Sequence, residues 1–152
     1  MENSIELYNF ILKELSAGGR ECEKQDICSY SPLTLAYIGD GVYELVIRSM
    51  IVTEGNAPVN KLHKKSSTLV KAETQSKMVM YLMDAGILSE EETRILKRGR
   101  NAQSYTKAKN ASVTDYRWAT GFEALMGYLY LSGESRRMME LICMGLKAID
   151  LD

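Results

Sequence analysis

Three carboxylates stand in surroundings that do not suit an acid. Asp40 and Glu44 lie in LAYIGDGVYELVIR, residues 35–48, and Glu123 is the only acid in ATGFEALMGYLYL, residues 119–131. Asp40 and Glu44 are four residues apart, so on a helix they share one face about a turn apart. Burying an unpaired carboxylate costs on the order of several kcal/mol, so each of these acids calls for a cation. One candidate is a lysine or arginine from elsewhere in the chain. The other is Mg²⁺, which takes hard oxygen ligands, keeps several waters and needs only one or two carboxylates. Gly39 and Gly41 flank Asp40, and Gly127 follows Glu123 by one turn. These glycines either clear space for a hydrated ion and a bulky substrate, or let another helix approach while Asp40 forms a buried ion pair. If the two acidic faces meet, Asp40 and Glu123 converge on one metal ion. Metal-activated water can attack a phosphodiester without help from an imidazole, because the ion lowers the water's pKa and neutralises developing charge. That chemistry suits a chain with a single histidine, His63.

The elements that must carry these residues are helical. Ile5, Tyr8, Ile11, Leu12 and Leu15 form an apolar stripe that SAGGR terminates. Ser31-Pro32 opens a second helix, serine as cap and proline at the first position, running to about Val52. It is apolar on most sides, which predicts a central position. A third helix is expected from Asn56-Pro58 to Asp84. Ser89 caps a shorter one whose first turn is acidic, and Gly99 is read as its end. Residues 99–114 show no periodicity and form the one long loop expected. Loops of that length in a compact domain are usually functional. Helix resumes from Asp115 to Leu131 and, after Gly133, from Glu134 to Ala148. No stretch alternates with period two, so the fold class is all-α, a single domain over residues 1–152.

Composition narrows the setting. The net charge of −1 conceals a basic middle: residues 61–110 hold 11 Lys/Arg against 5 Asp/Glu. Such asymmetry suits an anionic partner, although a solvated helix face gives the same count. Three cysteines, none in a C-x-x-C pair, and one histidine argue against a closed zinc site. The amino terminus, MENSIELYNFILKEL, is acidic and amphipathic rather than signal-like, and no window reaches 18 apolar residues. The expectation is a cytoplasmic protein with no membrane partner.

The two acidic segments also resemble a known family. LAYIGDGVYELVIR is similar to the signature helix of ribonuclease III, and TGFEALMGYLYL to the helix bearing that family's second acidic pair. RGRNAQS and KAKN between them, in a short chain, narrow the resemblance to Mini-ribonuclease III, over a core of about residues 30–147. The resemblance implies a ribonuclease III-like helical endonuclease domain acting as a homodimer, each subunit cutting one strand of double-stranded RNA. It implies Mg²⁺ as cofactor, with Mn²⁺ able to substitute, and products with 5′-phosphate and 3′-hydroxyl ends. The RNA implied is precursor 23S ribosomal RNA, with room for a ribosomal protein as helper. Asp40 and Glu123 then become the catalytic metal ligands.

Two positions depart from the wider family, which has acids where this chain has Ala36 and Thr120. Glu44 either joins the metal set in place of the missing acid or pairs with a basic neighbour, and Thr120 either offers its hydroxyl to a metal-bound water or packs. The RNA contacts expected are Lys97, Arg98, Arg100 and Asn101, then Lys107 and Lys109. His63, Lys64 and Lys65 form a weaker second patch, read more readily as an exposed helix face. The departures leave a second hypothesis open, a non-catalytic RNA-binding or ribosome-associated module on the same fold. A third reading is a helical interaction protein whose glycines serve only packing.

Overall fold

The computed structural model describes residues 6–102 and 112–150. Among them are seven α-helices: α1 (Leu7–Ala17), α2 (Pro32–Val52), α3 (Val59–Val70), α4 (Ala72–Asp84), α5 (Glu90–Asn101), α6 (Val113–Leu131) and α7 (Ser135–Ile149). A short 3-10 turn, Ile27–Ser29, precedes α2. No strand occurs among the described residues, in agreement with the all-α expectation.

Caps set several boundaries where the sequence places them. The Ser31 hydroxyl accepts from the Thr34 amide at 3.2 Å, with Pro32 at the first position. Ser89 and Glu92 form a reciprocal capping box, 2.9 Å and 3.1 Å. Glu92 is also buried against Arg137 of α7, whose guanidinium makes bonds of 2.8 Å and 2.9 Å to it and one of 2.8 Å to the Ile87 carbonyl. That one arginine ties the start of α5 to α7. It holds the Glu92 carboxyl below its usual range.

Three boundaries differ from the sequence reading. The expected third helix breaks at Lys71, which is extended (φ −69°, ψ 156°), so α3 packs on α2 while α4 packs on α6 and α7. Gly99 does not end its helix. It lies buried inside α5, where a Cβ would come within 2.8 Å of the Ala124 Cβ and 2.9 Å of the Gly121 Cα. Close crossing of α5 on α6, not chain termination, explains that glycine. The expected loop of 99–114 is therefore shorter at both ends, since residues 99–101 and 113–114 are helical.

Helix α6 is the axis of the fold. It packs on α2, α4, α5 and α7, and ten of its residues are buried. The main core gathers Tyr43 and Ile47 from α2, Met78 and Leu82 from α4, Leu96 from α5, Phe122 and Leu125 from α6, and Leu141 from α7. Helix α2 is central on that side only. Its other face leaves Leu33, Tyr37, Leu45 and Val52 exposed, Tyr37 at 82%.

The α2–α6 crossing brings backbone against backbone. A Cβ on Gly39 would overlap the Glu123 carbonyl oxygen and lie 2.7 Å from the Gly127 nitrogen; one on Gly127 would overlap the Leu35 carbonyl oxygen. Those two glycines are packing residues. Nothing lies within 4 Å of a Cβ on Gly41, which faces open space beside Asp40. Urea unfolding separates the roles: Gly39→Ala should cost about 3 kcal/mol through overpacking, whereas Gly41→Ala should gain roughly 1 kcal/mol of helix propensity.

Candidate active site

The crossing fixes where the carboxylates meet. Gly39 sits against the Glu123 carbonyl, so Asp40, the next residue on α2, is carried toward the Glu123 side chain, close enough for its charge to act on that carboxyl. Asp40 stays open to solvent, whereas Glu123 is partly covered. Burial pushes the Glu123 carboxyl up to about 8, helped by the charge of Asp40 and opposed by a hydrogen bond from Gln75. Partial desolvation against α6 also raises the otherwise exposed Asp40, with the Glu44 charge adding to it. Among the described residues neither carboxylate forms an ion pair with a lysine or arginine.

Tyr43, one turn along α2 from Gly39, holds the floor of the site. Its hydroxyl donates to the Leu69 carbonyl at 2.8 Å, and its ring meets Phe122 edge-on at 5.3 Å between centroids. Burial raises its hydroxyl above the usual tyrosine range, and the Glu123 charge adds to that.

The remaining expected residues distribute as follows. Glu44 accepts two bonds from Arg48, 3.1 Å and 2.6 Å, so the basic neighbour is present. Among the described residues no group of three His, Cys, Asp or Glu side chains is arranged to hold a metal ion. Thr120 is buried and its hydroxyl donates back to the Tyr116 carbonyl at 3.0 Å. Ala36 is buried in a small apolar cluster with Leu35, Ile95 and Ala124. Lys97, Arg98 and Asn101 are exposed on the last turns of α5. Arg100 is stacked on Trp118, its guanidinium carbon 4.8 Å from the ring centroid. Trp118 itself lies partly buried at the edge of the core. Lys107 and Lys109 lie outside the described residues. His63, Lys64 and Lys65 are exposed on α3, Lys65 pairing with Glu54 at 3.1 Å.

Gln75 escaped the sequence reading. It is 1% exposed and donates from Nε2 to the Val70 carbonyl at 2.8 Å and to the Glu123 carboxylate at 3.4 Å. In ETQSK nothing marks it as different from a solvent-facing helix residue.

Comparisons with known proteins identify the family. A family model described as the ribonuclease III domain matches residues 33–134. The chain is 50% identical over 125 residues to Mini-ribonuclease 3 of Clostridium tetani, covering 82% of each chain. It is 49% identical to Mini-ribonuclease 3 of Thermoanaerobacter sp., covering 84% of this chain and 88% of that one. The X-ray crystal structure of a protein from Fusobacterium nucleatum superposes with a TM-score of 0.73 at 31% identity, over 82% of this chain and 99% of that one. The chain therefore belongs to the ribonuclease III family of endoribonucleases, within its Mini-ribonuclease 3 branch. No helix among the described residues is long and apolar enough to cross a membrane.

The raised Glu123 carboxyl has a consequence for stability. The folded protein holds a proton there at pH values where the unfolded chain has released it, so this group's contribution to stability falls as pH rises from about 4.5 toward about 8. In metal-free buffer, Glu123→Gln should therefore melt higher than the parent at pH 7.5. The difference should shrink toward pH 5, as thermal unfolding in EDTA would show.

Proposed function

We propose that the chain is a divalent-metal-dependent nuclease for double-stranded RNA, with Asp40 and Glu123 as its metal-holding catalytic pair. One observation carries the reading: a backbone-tight helix crossing sets Asp40 beside a partly buried Glu123, and among the described residues no lysine or arginine pairs with either. Such a pair suits a hard divalent cation, and with few protein ligands the remaining coordination falls to water and substrate oxygens, as Mg²⁺ prefers. A divalent ion held there lowers the pKa of a water and neutralises charge that builds on a phosphodiester. Mn²⁺ would serve in its place. Asp40 and Glu123 supply the negative ligand set, and open space at Gly41 leaves the approach to Asp40 clear.

The exposed residues at the end of α5 suit the same substrate. A-form RNA is read through phosphates and 2′-hydroxyls, and Lys97, Arg98 and Asn101 offer cations and an amide for both. The stacking on Trp118 holds Arg100 as a preset fourth contact. Lys107 and Lys109 would extend this basic set. The RNA we infer is precursor 23S ribosomal RNA in the cytoplasm, with a ribosomal protein as helper in presenting it. The products would carry 5′-phosphate and 3′-hydroxyl ends.

The outer face of α2 supports a homodimer. Leu33, Tyr37 and Leu45 are exposed there beside the unobstructed Gly41, so a second copy could cover an apolar stripe next to the site. Two centres would then act on the two strands.

A cleavage assay on perfect double-stranded RNA tests the chemistry. With Mg²⁺ the parent should cut, while Asp40→Asn should lose about 100-fold or more, since metal-assisted charge stabilisation contributes several kcal/mol. Ca²⁺ or chelator should leave the parent inactive. A parent that binds RNA and never cuts it defeats this reading. Light scattering addresses the assembly: the parent should have twice the chain mass at micromolar concentration, and the double variant Tyr37→Asp/Leu45→Asp should be monomeric.

A further inference from the structure

We propose that Gln75 is a positioning residue of the two-carboxylate centre, its amide N–H group orienting Glu123 to receive a divalent ion. The inference rests on the reading of Asp40 and Glu123 as metal ligands and adds a third side chain from a third helix.

The amide orientation is determined by its neighbours. Nε2 lies 2.8 Å from the Val70 carbonyl and 3.4 Å from the Glu123 carboxylate, both of them acceptors. Turning the amide over would set its oxygen against two oxygens, so the nitrogen must face them. The bond to Glu123 is long for N–H···O. It steers the carboxylate while leaving its lone pairs available to an ion.

The other end of the amide explains why packing alone does not account for the residue. Gln75 Oε1 is buried, and among the described residues no group donates a hydrogen bond to it. A buried acceptor without a bond carries a desolvation penalty that nothing offsets. A methionine or leucine would fill the same space without that penalty. What an apolar residue could not do is donate to the Val70 carbonyl and, from the same nitrogen, to Glu123. The Val70 bond anchors the amide to the end of α3, directly before the break at Lys71, so Gln75 is held from one side and aims at the carboxylate from the other. Side chains that orient metal ligands in this way commonly change metal affinity by about 10–100-fold when removed.

The test compares the parent with Gln75→Met and Gln75→Leu by three measurements. MnCl2 is titrated calorimetrically into RNA-free protein, thermal unfolding is recorded in EDTA, and RNA cleavage is followed against Mg²⁺ concentration. In both variants Mn²⁺ should bind about 10-fold more weakly. Melting in EDTA should stay within roughly 5 °C of the parent or rise. Cleavage lost at low Mg²⁺ should return as Mg²⁺ is raised, with KM for RNA unchanged. Unchanged Mn²⁺ affinity in both variants overturns the proposal, and so does a large loss of melting temperature that Mg²⁺ does not rescue. Failure of the underlying reading looks different: the parent binds no Mn²⁺, or Glu123→Gln binds it as tightly as the parent.

Discussion

The contact on which the structure turns is the backbone crossing of α2 and α6. Gly39 meets the Glu123 carbonyl and Gly127 meets the Leu35 carbonyl, so the two helices touch with no side chain between them at that level. At ordinary helix separations the short side chain of Asp40 would be held away from Glu123. With both glycines in place Asp40 lies near enough for its charge to raise the Glu123 carboxyl. Gly99 and Gly121 repeat the device where α5 crosses α6, which sets the basic end of α5 beside the segment that carries Glu123. Fold and site are thus one arrangement: the residues that let α6 be surrounded closely also bring acid to acid and base to the same neighbourhood.

This arrangement opposes folding to chemistry. A carboxylate in partly covered surroundings beside a second negative charge is unfavourable, and the raised Glu123 carboxyl expresses that cost. The rest of the molecule compensates with ordinary means: an apolar core against α6, a capping box on α5, and the Arg137–Glu92 pair locking α5 to α7. None of these supplies a positive charge to the carboxylate pair. A group that binds the folded state there would stabilise it by mass action, so a metal ion serves structure as well as catalysis in the proposed scheme.

Much of this is legible in the residues because its causes are local. Ser31 and Pro32 start α2 by capping and fixed φ, and Gly133 ends α6 with a positive φ of 76°. Both acids announce themselves because a lone carboxylate in an apolar helix has few explanations. What cannot be read locally depends on which helix lies opposite. Gly99 looks like a helix stop because glycine is a poor helix former, yet its φ and ψ are ordinary and its smallness serves α6. Lys71 carries no mark of a break, since the break exists so that α3 and α4 can pack on different partners. Gln75 looks solvent-facing in ETQSK, and only the tertiary fold buries it beside Glu123. The glycines around Asp40 divide in the same way: Gly39 is for packing and Gly41 borders open space, a distinction invisible at adjacent positions of one motif.

The small number of carboxylates also has a packing cause. Ala36 is enclosed with Leu35, Ile95 and Ala124 where α2, α5 and α6 come together, so a glutamate there would displace apolar contacts of three helices. Thr120 occupies the turn of α6 that touches Gly99, and its hydroxyl is committed to the Tyr116 carbonyl. Both positions where the wider family has an acid are therefore taken into the closeness of the crossings. Glu44, one turn beyond Asp40, is paired with Arg48 at the surface. A centre with two protein carboxylates leaves most of a divalent ion's coordination to water and to the oxygens of an RNA phosphate. Metal affinity would then depend on substrate more than it does in a carboxylate-rich site. Any side chain that preorients Glu123 gains weight for the same reason, which is the position Gln75 occupies.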